Sequence, residues 1–540
     1  MDTALALVLT GWSCANGASA VCASCHRQIY DTYRATPMAR SARKLDPTAA
    51  PEQFGRASFT HAPSGFHYDV SVQKRGYVLG FGKTGGPSGS KVLAYAVGSG
   101  TRAFSYLIAD DGYLYEAPVA YYAVGHSWGL PPGYEKYSYP YLTRPIVPGC
   151  LSCHASFLQV EPITLNRYAS PAFLEDGVAC ERCHGNGEEH VAKMQSGDLA
   201  GDPRILNPAR LAPERRDSIC AQCHLTGDVR VMRRGSDWRS FQPGSRLSDY
   251  QTVFVRSPKA EGMTVTSHVE NLAASACKRK SGDQLWCGSC HDPHEVPAPA
   301  QATAWFRDRC LTCHAAKPCT ETQAARLKAK DDCVVCHMPK SPASDAQHTV
   351  FTDHSIPRRP RGKAARPAVV SDAGLAPFDG SAAASRDLAL AYAIAAIGKS
   401  GGADRTRALG LLERAAKEAP DDVEVLVSLA EIYRNDGKNE LARPLYERAI
   451  ALDRGQVTAS VGLGGIMMER GDYRAAVELW KDALSGNAGL QLVRLNFALA
   501  LWKTGQHDAA EANLKKALEL NPAFVPSREL ADQLSHIERR

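Results

Sequence analysis

The pattern C-x-x-C-H occurs seven times between residues 22 and 337. The copies are Cys22–Cys25–His26, Cys150–Cys153–His154, Cys180–Cys183–His184, Cys220–Cys223–His224, Cys287–Cys290–His291, Cys310–Cys313–His314 and Cys333–Cys336–His337. On a short helix the two thiols lie one turn apart and match the two vinyl groups on one porphyrin edge. The adjacent histidine then falls under the iron. A redox dithiol or a zinc knuckle would account for the paired cysteines, but not for a histidine after every second one. Seven covalently held haems c are therefore expected, with 14 of the 17 cysteines as anchors and seven histidines as proximal ligands. Cys277 and Cys319 remain, either as a disulfide or as two structural thiols.

Seven irons need a ligand on their other side, usually histidine or methionine. Outside the motifs, the same part of the chain supplies His61, His67, His126, His190, His268, His294, His348 and His354, eight for seven irons. Mostly bis-histidine ligation follows. The competing use of any single spare histidine is a hydrogen bond to a propionate. Met38, 12 residues beyond His26, is a candidate for the first iron, whereas Met338 directly follows a proximal histidine and cannot fold back. His507 and His536 are expected to be ordinary surface residues of the C-terminal part.

The first and second sites are 128 residues apart, and the later gaps are 30, 40, 67, 23 and 23, so no regular module repeats. About 45 residues per site leave too little chain for a conventional apolar core. The macrocycles themselves must supply much of it, and neighbouring haems must be close.

Residues 54–127 read differently. SFTHAPSGFHYDVSVQKRGYVLGF and KVLAYAVGSGTRAFSYLIADDGYLYEAPVAYYAV alternate polar and apolar positions, and Asp110–Asp111–Gly112 carries a hairpin turn. A small antiparallel insert is expected, with Tyr68, Val70 and Val72 on one face. It is placed to bring His61, His67 or His126 over a haem. Tyr134, Tyr137, Tyr139 and Tyr141 follow, and packing against porphyrin is their expected use, with a lined cleft as the alternative.

All the cysteines precede residue 337, and residues 358–386, rich in Pro, Ala, Arg and Ser, read as a linker. Beyond it Gly437, Gly471 and Gly505 recur every 34 residues, as do Ala415, Ala449, Ala483 and Ala517. That is the tetratricopeptide (TPR) period, two antiparallel helices per repeat. Helices are predicted near 387–398, 405–418, 423–435, 439–452, 457–469, 473–485, 489–503 and 507–520, giving about four repeats over 387–540. Such a solenoid offers a groove and no chemistry, which points to a redox protein partner or to self-association.

Residues 1–20 combine an apolar run with the small residues Ala18, Ser19 and Ala20, as in a secretory signal cut before Val21. Cys14, preceded by Trp12 and Ser13, makes a poor lipidation site and would leave with the signal. No other run approaches a transmembrane length, so the chain is expected to be soluble or membrane-peripheral, in the periplasm or outside the cell. The formal charge of +6 is offset by haem propionates, at roughly −1 per oxidised haem, and nucleic-acid binding is not expected. Arg358, Arg359, Arg361 and Lys363 form the only marked basic tract.

The pieces CASCHRQIYDTYRATPMARS, GVACERCHGNGEEHV, SICAQCH, SGDQLWCGSCHDPH and CVVCHMPKSPASDAQHTVFTDHSIPR resemble the bacterial multihaem cytochromes of the cytochrome c554-like, doubled C-x-x-C-H class with C-terminal TPRs. They span nearly all of residues 21–358. The resemblance implies a multihaem domain, mostly helix and loop with a small β insert, followed by an all-α TPR solenoid. It also implies His190 and His354 as distal ligands. Many relatives place a histidine where this chain has Met38, and no C-x-x-C-K site is present. The class holds both electron carriers and enzymes. Electron transfer to a partner held by the solenoid is the leading expectation. The alternative is a haem oxidoreductase acting on a small nitrogen or sulfur compound at one open iron.

Overall fold

A computed structural model describes residues 18–46, 48, 57–74, 76–197, 204–256, 267–316, 319–343, 349–358, 374–397 and 402–538. Cys14, His348, Arg359, Arg361 and Lys363 lie outside the described residues.

The insert is an antiparallel meander. Its strands are β1 (Ala42–Lys44), β2 (Ser58–His61), β3 (Phe66–Gln73), β4 (Gly76–Gly82), β5 (Ser88–Val97), β6 (Ala103–Asp110), β7 (Tyr113–Tyr122), β8 (Ser127–Gly129) and β9 (Arg144–Pro145). β2 to β8 pair in sequence order, while β1 joins β5 and β9 joins β7. The sheet is thus wider than residues 54–127. Its two extra strands belong to the chain after the first attachment site and just before the second, so both sites lead directly into the sheet. Asp111 and Gly112 adopt φ of 51° and 81°, the left-handed pair that a tight β6–β7 turn requires. Tyr68 and Val70 are buried inside with Tyr77, Leu79, Tyr106 and Tyr115, while Val72, at the strand's end, emerges to solvent.

The rest of the motif-bearing region is short helices and loops with little protein core. Helices Ala302–His314, Gln323–Lys328 and Cys333–His337 bury none of their residues. Ser19 is 2% exposed: its backbone N–H donates to Glu175 Oε2 at 2.9 Å, and its Oγ accepts from Cys180 N at 3.0 Å. A cut before Val21 would remove these contacts. The segment Leu375–Pro377, within the stretch expected to be linker, adds a strand beside Gln251–Arg256, which in turn pairs with Val229–Met232.

The solenoid runs Ser385–Ala396, Ala403–Glu418, Val423–Asn435, Asn439–Leu452, Val457–Glu469, Tyr473–Gly486, Gln491–Lys503 and His507–Leu520, and a further helix, Val525–Glu538, follows. Gly437, Gly471 and Gly505 have φ of 72–79° and close each within-repeat turn, where a Cβ would be strained. The loops between repeats dock on the sheet. Tyr113 Oη donates to Ser485 O at 2.5 Å, Leu165 N to Gly486 O at 2.8 Å, and Asn521 Nδ2 to Pro140 O at 3.0 Å. Ala488, Leu520 and Ala523 complete the sheet's apolar interior. No described helix is long and apolar enough to cross a membrane.

Candidate haem-binding site

Each attachment motif sits on a turn or a helix end, as thioether geometry demands. His26, His184 and His291 donate their backbone N–H to the carbonyl of the first cysteine of their motifs, at 2.8, 3.0 and 3.0 Å, closing one helical turn. The fourth and sixth motifs end helices Pro213–His224 and Ala302–His314. No disulfide joins any of the described cysteines, Cys277 and Cys319 included.

Residues from all seven motifs line one continuous cavity of about 4050 Å³, far larger than the roughly 300–1,000 Å³ of an ordinary ligand pocket. Thiols of different motifs approach across it closely enough to shift one another's ionisation: Cys22 and Cys180, Cys153 and Cys223, Cys220 and Cys287, and Cys310 and Cys333. Sites distant in sequence are therefore neighbours.

Four spare histidines reach the same cavity, and each faces an attachment histidine. Ring centres lie 6.2 Å apart for His26 and His190, 5.8 Å for His184 and His294, 5.5 Å for His224 and His268, and 6.2 Å for His291 and His354. Two metal–imidazole bonds of about 2 Å, plus about 1.1 Å from each bonded nitrogen to its ring centre, give roughly 6 Å across one metal. His268 also lies 4.9 Å from His354. Burial pushes the imidazoles of His268 and His291 down to about 3 and about 4, and holds those of His154, His224, His294 and His354 below the usual histidine range. They are neutral at pH 7, as metal ligands must be.

Backbone carbonyls orient several rings. The Nδ1 atoms of His184, His337 and His354 meet Leu206 O, Pro357 O and Thr352 O at 2.8, 3.0 and 2.9 Å. An Nδ1–H bonded in this way leaves Nε2 as the free lone pair, the arrangement found behind metal-bound histidines. Nδ1 of His154 and of His268 is buried without a partner. Paired thiols, oriented neutral imidazoles and a large apolar space fit covalent haem.

Other residues expected at the irons lie elsewhere. His61, His67 and His126 stay on the sheet outside the cavity wall, with their Nδ1 atoms on Ser64 Oγ, Thr60 Oγ1 and Tyr121 Oη. They belong to the β2–β3 and β7–β8 connections, whereas β5–β6 is the connection that meets the cavity, through Val97, Ser99 and Arg102. Met38 does line the cavity, but it is His190 that faces His26. Tyr134, Tyr137, Tyr139 and Tyr141 pack on one another, with Tyr137–Tyr141 centres 4.7 Å apart, and Tyr139 meets Phe524 of the solenoid. Through Tyr139 they adjoin the sheet–solenoid seam. His507 stacks on Trp502 at 4.1 Å. Sequence reasoning missed the cavity arginines, among them Arg102 and Arg230, which no motif marks, and Arg182, an unassigned position inside the third motif.

Family comparisons agree with this chemistry. A doubled CXXCH motif model matches residues 279–318, and the model "Cytochrome c554 and c-prime" matches 140–185. Tetratricopeptide repeat models match 425–458 and 493–524. The chain is similar to "C-type polyheme cytochrome OmcC" of Geobacter sulfurreducens, 21% identical over 32% of this chain and 26% of that one. It is also similar to "Multiheme cytochrome MtrA" of Shewanella baltica, 26% identical over 31% of this chain and 52% of that one. The matches thus span about a quarter and about half the length of these relatives. Among solved structures, "Crystal structure of MamA" aligns with 25% of this chain and 79% of its own at 21% identity, with a TM-score of 0.24. "MamA RS-1 ArsTM double mutant" aligns with 29% and 88% at 15% identity, with a TM-score of 0.27. Motifs, cavity and family matches agree on a chain that joins doubled-CXXCH, cytochrome c554-like segments with tetratricopeptide repeats.

Proposed function

We propose that the chain moves electrons through seven covalently bound haems c to or from a redox partner outside the cytoplasm. The solenoid holds that partner or a second copy of the chain. The observation that carries this is the one cavity lined by residues of all seven motifs, in which thiols of different sites lie near one another. Haem supplies one-electron redox chemistry when bound, and what this chain adds is spacing, ligation and exclusion of water.

These proximities support a spatial order. Site 1 adjoins site 3 through Cys22 and Cys180, and Cys183 of site 3 lies in the field of Cys220 at site 4. Site 4 adjoins site 5 through Cys220 and Cys287, Cys290 lies in the field of Cys313 at site 6, and Cys310 adjoins Cys333 at site 7. Site 2 joins at site 4 through Cys153 and Cys223. His190, His294, His268 and His354 are the distal ligands of sites 1, 3, 4 and 5, which leaves Met38 as packing.

Haem count by intact mass of the purified holoprotein tests the reading, with seven per chain expected. A colourless protein, or one holding zinc at the cysteine pairs, overturns it. A second reading, an oxidoreductase acting on a small nitrogen or sulfur compound, is favoured by one observation. Among the described residues only four spare histidines reach the cavity, against seven attachment histidines. A high-spin ferric signal in electron paramagnetic resonance of the oxidised protein selects that reading, and its absence selects the carrier.

A further inference from the structure

Haem brings two propionate carboxylates into any site it occupies, and a cavity with apolar walls must neutralise those it buries. Several cavity arginines are already engaged. Arg182 donates to Ser152 O and Gln222 Oε1, Arg216 to Asp217 and to Asp283 O, and Arg326 pairs with Asp331. Arg230 differs. Its Nη2 donates to Leu225 O, the carbonyl just past helix Pro213–His224, and lies 3.3 Å from Thr226 Oγ1. Its Nε is buried with no partner, the residue lines the cavity, and among the described residues it has no carboxylate partner. Its positive charge acts on both Cys153 and His224, so the guanidinium is within electrostatic reach of the second and fourth sites.

We propose that Arg230 holds a haem propionate where the second and fourth sites meet, and thereby raises the reduction potential of that haem. The inference rests on the haem reading above. Arginine suits the role because its fixed fork can keep Leu225 O on one nitrogen while offering others to a carboxylate. A buried cation near the iron favours the ferrous state, which carries one positive charge fewer. Removing the cation and leaving the propionate unpaired shifts the balance toward the ferric state.

The test uses the full-length holoprotein carrying Arg230→Gln or Arg230→Lys, with haem content by intact mass and potentials by spectroelectrochemical titration. Both replacements can still donate to Leu225 O, so a purely structural, helix-capping role predicts that they behave alike. The proposal predicts that they separate. In Arg230→Gln the ferric-to-ferrous equilibrium of one haem falls about tenfold, about 59 mV for one electron, or that haem is lost. Arg230→Lys stays near the wild type in both readouts. Gln and Lys variants that match each other, whether both native or both haem-deficient, overturn the proposal. A wild-type chain that binds no haem overturns the parent reading instead, so the two failures are distinguishable.

Discussion

Asp387, on the first helix of the solenoid, ties the repeats to the motif-bearing region. Its side chain is 2% exposed and accepts from Arg233 Nη1 at 2.9 Å, Thr252 Oγ1 at 2.7 Å and Arg386 Nη1 at 3.0 Å. Asp387→Asn keeps the shape and one carbonyl oxygen for Thr252 while removing the charge. A hydrogen bond to a charged group is worth roughly 1.5–3 kcal/mol, and breaking a buried pair from one side costs about 3–5 kcal/mol. Two features reduce that here. Arg386 keeps Asp422 and Glu424, and Arg233, 31% exposed, regains water. The expected loss is therefore about 2 kcal/mol, which for a unit of this length lowers the melting temperature by roughly 4–8 °C. Far-ultraviolet circular dichroism of the holoprotein reads it, because the solenoid carries most of the long helices. The same melt on Arg233→Met and on the double variant should give a coupling of about 1–2 kcal/mol. A shift below about 1 °C, or strictly additive effects, would refute the view that this seam is held by a desolvated ion pair.

Three further outcomes are expected. Gly489→Val should loosen the seam without touching the repeats, because a Cβ there would come within 2.5 Å of Tyr115 Cε1 and 3.0 Å of Thr143 Cβ. Faster limited proteolysis between the two regions, with helix content unchanged, is the readout, and wild-type resistance would count against the docked arrangement. His190→Ala should add one high-spin ferric haem to the paramagnetic resonance spectrum, whereas Met38→Leu should add none; the reverse result would move the first distal ligand to Met38. Replacing Cys333 and Cys336 together by serine should lower the mass by one haem, and an unchanged haem count would show that the seventh motif is not an attachment site.

How far the sequence discloses this molecule depends on the range of the interaction involved. The attachment motifs are local and covalent, so two thiols and an imidazole in five residues suffice to name them. The repeats are nearly as plain, because Gly437, Gly471 and Gly505 must take left-handed φ at the same point of each helical pair. The Asp111–Gly112 turn is readable for the same reason. Pairing between distant segments is a different matter. Nothing near His126 or His190 says that one hydrogen-bonds Tyr121 while the other faces His26, because that choice is made by the path of the chain around a core that is largely not protein. The four tyrosines at 134–141 show the same limit: aromatic spacing records a need for apolar contact, but Phe524, almost 400 residues away, supplies it. The docked loops 485–490 and 521–524 have a physical consequence that periodicity alone conceals. One edge of the solenoid is occupied by the chain's own sheet, so a redox partner held by the repeats must use their helical faces. It would then sit at a fixed position relative to the haem cavity, as electron transfer over short distances requires.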